Sequence, residues 1–174
     1  MFRRDFRRAA AGRGRRGSHG TALLIAIAIA ASAWLGLRPG GRQIVGDVTV
    51  IDGDSLRMGE VSIRLKGLDA PELRQSCTRS GTAYPCGRVA REALVRAVAG
   101  REPRCRIQGR DRYQRSLAQC FVDGTDIGAM LVEGGYAVGY GGYEREEARA
   151  RARSIGLWAG EFERPSLWRR LERS

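Results

Sequence analysis

The chain has 174 residues, 43% of them hydrophobic and 29% charged, with a formal net charge of +12. Its one histidine, His19, precedes the folded region, which excludes a serine–histidine triad, a histidine general base and a histidine-ligated zinc from the chemistry of the domain. Lys66 is the single lysine; arginine carries the rest of the positive charge, and such a balance suits a polyanionic partner.

Residues 1–20 hold seven arginines against one acid, Asp5, and precede an uncharged apolar run from Thr21 to Leu37. A basic flank before an apolar run has the pattern of an export signal, with the domain on the far side of the membrane. Ala31-Ser32-Ala33 offers a small-x-small site for cleavage after Ala33. Left uncut, the run sits at the short end of the roughly 17–25 residues that span a bilayer and would act as a signal anchor in the membrane. The expected location is therefore extracytoplasmic, periplasmic or secreted, with residues 1–38 as signal peptide or anchor. Loss of residues 1–33 would still leave a net charge of +6.

Residues 39–44 read as a linker, 45–160 as the domain and 161–174 as a polar tail. Ile44 to Ile51 alternates as a first strand. Asp52-Gly53-Asp54 is a turn, Ser55 to Met58 a short second strand, and Gly59-Glu60 a two-residue hairpin loop. Val61, Ile63 and Leu65 then alternate with Ser62, Arg64 and Lys66, a third strand that turns Arg64 away from the core. Leu73 to Pro85 is polar and turn-rich, a long loop. Gly87 to Ala99 is a helix on the spacing of Ala90, Ala93, Leu94, Ala97 and Val98, with Gly100 beyond its end. Glu102 to Gln108 and Ser116 to Val122 are two more strands around G-R-D-R-Y-Q-R. Asp126 caps a short helix stopped by Gly134-Gly135. Tyr143 to Ser154 is a charged helix. Its Arg145, Arg149 and Arg153 form a stripe open to two readings, a phosphate-backbone contact or a solvated face. The tail carries Leu167, Trp168 and Leu171 without deciding whether it packs. Five short strands, a helix between the third and fourth, and two C-terminal helices make an α+β, five-stranded OB-fold barrel.

The four cysteines, Cys77, Cys86, Cys105 and Cys120, lack a C-x-x-C pair and suit disulfides in an oxidising compartment. A hairpin centred near Arg112-Tyr113 sets opposite each other residues whose numbers sum to about 225, a condition that Cys105 and Cys120 meet. Cys77 and Cys86 then close the loop after Glu72.

The chemistry concentrates between Val50 and Glu72, where Asp52, Asp54, Asp69 and Glu72 gather at strand ends beside Arg64. Attack on a phosphodiester needs positive charge on the non-bridging oxygens and a base to ready a water. Asp54 and Asp69 end neighbouring strands and can converge on a hard ion of the calcium type. Arg64 points to the same side, Arg115 approaches from the later hairpin, and a guanidinium fork matches phosphate geometry. Glu72 is the candidate base. Tyr113 and Tyr140 are candidates for stacking on bases or bonding a phosphate, or are partly buried tyrosines.

D-G-D-S, R-L-x-G-L-D-A-P-E, D-R-Y-Q-R-S-L-A, L-V-E-G-G-Y-A and G-L-W, in this order and spacing from about Val45 to Trp158, closely resemble the thermonuclease (staphylococcal nuclease-like) family. The resemblance implies an OB-fold and a calcium-dependent endonuclease acting on DNA and RNA with little sequence specificity, leaving a 3′-phosphate. It implies a Ca2+ ion held by Asp54, Asp69 and the backbone carbonyl of Ala70, and a catalytic set of Arg64, Glu72 and Arg115. Ser55 stands where the family has threonine, and Ala70 where threonine is frequent. Gln114 replaces the glycine common in D-x-Y-G-R, so a positive φ there would strain the turn that delivers Arg115. The competing expectation is a non-catalytic OB module that binds nucleic acid or a protein partner.

Overall fold

The computed structural model describes residues 42–172, so the expected signal or anchor at 21–37 and the first part of the linker lie outside the described residues. Among the described residues no helix is long and apolar enough to cross a membrane. The chain begins with β1 (Gln43–Val45), β2 (Thr49–Val50), β3 (Ser55–Met58) and β4 (Val61–Leu65). Next come β5 (Leu68–Asp69) and a small hairpin, β6 (Cys77–Arg79) with β7 (Thr82–Tyr84). Helix α1 (Cys86–Val98) leads to β8 (Arg104–Arg110), β9 (Ser116–Val122) and β10 (Thr125–Asp126). The chain ends with α2 (Ile127–Glu133), β11 (Val138–Gly139), α3 (Glu144–Ala152), a 3-10 turn at Gly156–Ala159 and α4 (Pro165–Leu171).

The main sheet runs β1-β8-β9-β4-β3-β2, with β10 added on β9. The β4–β9 pairing is parallel and the others are antiparallel. Its two edges, β1 and β2, are separated in sequence only by Gly46–Val48. A residue spans at most about 3.6 Å, so the sheet must curl back on itself to bring those edges together. The curled sheet with flanking helices is of the OB type. Five strands were expected and this sheet has seven. The single first strand is in fact two, broken where Gly46 takes φ +143°, and a further short strand, β10, joins β9. Alternation alone does not register such a break, because the residues on either side keep the same apolar period. The 73–85 stretch, read as loop, contains the β6–β7 hairpin.

Leu56, Ile63, Leu65, Leu94, Ala118, Ile127, Leu131 and Val132 fill the core, and α1 turns Ala90, Ala93, Leu94, Ala97 and Val98 into it. Each fully buried leucine or isoleucine contributes roughly 1.5–3 kcal/mol. Gly59 takes φ +54° in the two-residue loop that joins Met58 to Val61. Asp126 caps α2, its Oδ1 accepting from the N–H groups of Gly128 (2.8 Å) and Ala129 (3.3 Å).

Cys105 and Cys120 face each other in the β8–β9 register and are joined; a bulge near Gly109 shifts the pairing by one beyond them. Cys77 is joined to Cys86, tying β6 to the first residue of α1. Around this bridge Val138, Leu157, Tyr84, Trp158 and Phe162 form a second apolar cluster. The tail packs. Thr78 and Glu161 exchange backbone hydrogen bonds of 2.9 Å, and the Gln75 amide donates to the Glu163 carbonyl at 2.7 Å. Arg164 pairs with Glu147 at 2.8 Å.

Candidate active site

Asp54 is set by its turn. Its N–H donates to Asp52 Oδ1 at 3.0 Å, which makes Asp52 the turn residue of the acidic group. Gly53 lets that turn lie against Ala70 and Ala90; a Cβ there would come within 2.7 and 2.8 Å of theirs. The carboxylate of Asp54 is buried. Oδ1 accepts from Ser55 Oγ (3.0 Å) and Arg64 Nη1 (3.1 Å), and Oδ2 from the Ala70 N–H (3.0 Å). Burial pushes its pKa up to about 7, with Arg64 only partly offsetting the cost. Asp69, on β5, is 1% exposed. Arg64 Nη2 lies 2.7 Å from Asp69 Oδ1 and 3.0 Å from Asp54 Oδ2, so the two carboxylates converge on a single positively charged atom.

Arg115 arrives on the β8–β9 turn. Asp111 grips it there: Oδ1 accepts from the N–H groups of Tyr113 (2.8 Å) and Arg115 (3.0 Å), and Oδ2 from Arg115 Nε (2.7 Å). Burial pushes the Asp111 carboxyl up, but these hydrogen bonds outweigh it and hold it below the usual carboxylate range. Gln114 has φ +63°, the left-handed conformation that glycine would take without strain. The turn nevertheless directs Arg115 inward, its Nη1 donating to Ser55 Oγ at 3.4 Å. The Ser55 hydroxyl in turn donates to Asp54 Oδ1, which also accepts from Arg64, so Ser55 and Asp54 together connect the two arginines. The Tyr113 ring lies beside Arg112 and Arg115, 4.9 and 5.6 Å from their guanidinium carbons. Tyr113 and Tyr140 are 56% and 68% exposed.

Glu72 is held by its backbone. Its N–H donates to the Gln75 side chain at 3.2 Å and its carbonyl accepts from the Gln75 N–H at 2.7 Å. That carbonyl also lies against α1, where a Cβ on Gly87 would be 1.8 Å away. The Glu72 side chain is half-buried, and its Oε1 accepts from Arg169 Nη1 at 2.8 Å.

All eight residues expected at the site, Asp54, Arg64, Asp69, Ala70, Glu72, Tyr113, Arg115 and Tyr140, line one cavity of about 810 Å³. Sequence reasoning missed Ser55 as a connector, Asp111 as the clamp on Arg115, Gln75 behind Glu72, and Arg169, which lines the same cavity from α4. The stripe on α3 is largely consumed in ion pairs: Arg149 and Arg153 both reach Glu133 on α2.

Among the described residues, no group of three or more His, Cys, Asp or Glu forms a metal cluster. What the site offers a cation is two convergent carboxylates, hard oxygen donors, one of them buried at a cost that Arg64 does not cancel. That donor set fits a hard divalent ion.

The family model described as "Staphylococcal nuclease homologue" matches residues 62–160. Over 128 residues the chain is 35% identical to "Succinoglycan biosynthesis protein ExoI" of Rhizobium meliloti, covering 69% of this chain and 67% of that protein. It is 31% identical to an "Uncharacterized endonuclease" of Haemophilus influenzae, with 72% of each chain covered. It is 30% identical to "Probable staphylococcal-like nuclease CAN1" of Oryza sativa subsp. japonica, over 70% of this chain but only 36% of the plant protein's length.

Proposed function

This chain belongs to the staphylococcal nuclease family, and from that premise we propose that it is a calcium-dependent endonuclease that hydrolyses phosphodiester bonds of DNA and RNA. What carries the proposal is one observation: two arginines, two converging carboxylates and a half-buried glutamate line a single cavity although they come from separate segments of the chain. Asp54, Asp69 and the Ala70 carbonyl are the residues to hold a Ca2+ ion, which would supply positive charge to the phosphodiester and its attacking water. Arg64 and Arg115, connected through Ser55 and Asp54, hold the non-bridging oxygens and stabilise the charge that grows on them in the transition state. Glu72 takes the proton of the attacking water.

Tyr113 and Tyr140, exposed at the cavity, offer flat faces to bases. Stacking accepts any base, consistent with cleavage of little sequence preference. The two disulfides and the basic-then-apolar N-terminus support an extracytoplasmic location, with residues 21–37 meeting the membrane as signal or anchor.

The test is degradation of single- and double-stranded DNA and of RNA by the full-length chain. Cleavage is expected with calcium and none with chelator. Arg64→Ala, Arg115→Ala and Glu72→Ala should each lower the rate by roughly 10²–10⁴ while the fold persists. Binding of nucleic acid without cleavage under any of these conditions would replace the enzyme by a binding module.

A further inference from the structure

A cation already sits on the carboxylates, and it belongs to the chain. Arg169, on α4, places Nη2 2.9 Å from Asp69 Oδ2 and Nη1 3.0 Å from Asp69 Oδ1. The same Nη1 lies 2.8 Å from Glu72 Oε1. One guanidinium thus spans the residue assigned to the ion and the residue assigned to the base. Resting on the calcium-site assignment above, we propose that Arg169 is an intramolecular competitor of the divalent ion: α4 docks when the site is ion-free and is released when the ion binds.

The lone pairs decide it. A carboxylate has about four acceptor positions. Asp69 has committed three of them, two to Arg169 and one to Arg64. Asp54 is engaged by Ser55, Ala70 and Arg64. A hard ion needs carboxylate oxygens at about 2.3–2.6 Å, closer than any N–H donor approaches. It cannot share the Asp69 face that Arg169 grips on both oxygens, so one guanidinium must leave.

Arg64 rises from a strand hydrogen-bonded on both sides, to β3 and to β9, and its backbone is fixed. Arg169 rises from a seven-residue helix whose one buried residue is Pro165. Leu167 and Leu171 on that helix are 37% and 58% exposed. Trp168 is half-buried, and the ion pairs to Asp69 and Glu72 are what tie α4 to the carboxylates of the site. Release of Arg169 also frees Glu72 Oε1. Loading of the ion and availability of the base are therefore one event, and the chain holds its base occupied until the ion arrives.

The test is calorimetric titration of Ca2+ into three full-length chains: unaltered, Arg169→Gln and Arg170→Gln. Arg170 is exposed on the same helix and removes the same charge without touching the carboxylates. Arg169→Gln is expected to bind calcium at least about tenfold more tightly, a difference of about 1.4 kcal/mol. Arg170→Gln should stay within about twofold, as a screened exposed charge does. In the unaltered chain, hydrogen exchange of the amides of residues 165–171 should accelerate when calcium is added. Equal affinity of the unaltered and Arg169→Gln chains, or equal tightening by both substitutions, would overturn the competition while leaving the calcium site standing. Exchange in α4 that ignores calcium, with calcium bound, would overturn it too. Absence of calcium binding in all three chains would remove the calcium site itself and the competition with it.

Discussion

Asp111 lines the cavity, and its carboxylate fixes both the backbone and the guanidinium of Arg115. Its pKa is depressed in the fold, so its ionised form is favoured there over the unfolded chain. The sign follows: the contribution is whole at neutral pH, fades as pH drops through the ordinary carboxylate range near about 3.9, and is gone below the depressed value. Asp111→Asn keeps an oxygen for the two backbone N–H groups and loses the charge. Unfolding free energies of the two chains should therefore differ at pH 7 and converge as the pH falls below the ordinary carboxylate range. A difference that does not change with pH would rule out the charge as the cause. The sequence placed Arg115 at the site but showed Asp111 only as a turn residue, because a hairpin tip rich in charge looks the same solvated or clamped. At Gln114 the replacement of glycine pointed to strain, and φ +63° bears that out. Asp111 accepts hydrogen bonds from the N–H groups on either side of the strained residue and so holds the turn in this conformation.

At the level of elements, α1 acts as the floor under Glu72. Its N-terminal turn lies so close to the Glu72 carbonyl that only a residue without Cβ fits at position 87. Gly87→Ala should push the 71–73 backbone away, lowering stability by roughly 1–3 kcal/mol and nuclease activity by at least tenfold. Urea unfolding and initial rates measure the two; wild-type values for both would refute the contact. The α1 face was legible because its apolar residues repeat at helical spacing, and β3, β4, β8 and β9 because theirs alternate. The carboxylate pair and both arginines were legible as well, since strand ends and strand faces follow from alternation. Helix α4 was not. Its seven residues carry too few apolar positions to show a period, and Arg169 is one arginine among many. The partner that gives it meaning, Asp69, lies 100 residues earlier. No local pattern encodes a contact at that distance.

For the whole molecule, the Cys77–Cys86 bridge is the joint between the segment after Glu72, α1 and the tail. It braces the hairpin whose Thr78 pairs with Glu161, just before α4. Closing so short a loop contributes about 2–3 kcal/mol. The paired change Cys77→Ser with Cys86→Ser should lose that amount in urea unfolding and speed hydrogen exchange across residues 160–171. Cys105→Ser with Cys120→Ser should lower stability but leave exchange in the tail unchanged, because Cys105 and Cys120 join β8 to β9 within one antiparallel ladder, whereas the first bridge anchors the hairpin that pairs with Glu161. Equal tail exchange in the two variants would disconnect the first bridge from the tail.

The split first strand has a consequence of another kind. An open sheet offers its outer strands to other chains, and long bare edges invite intermolecular pairing. Here both edges belong to one bent segment, three and two residues long, on either side of Gly46. That leaves little template for association. It also makes the closure the thinnest part of the sheet. Local opening should begin at residues 43–50, and β2 runs straight into the turn that holds Asp54, so the first part of the fold to breathe adjoins one of the two buried acids of the site.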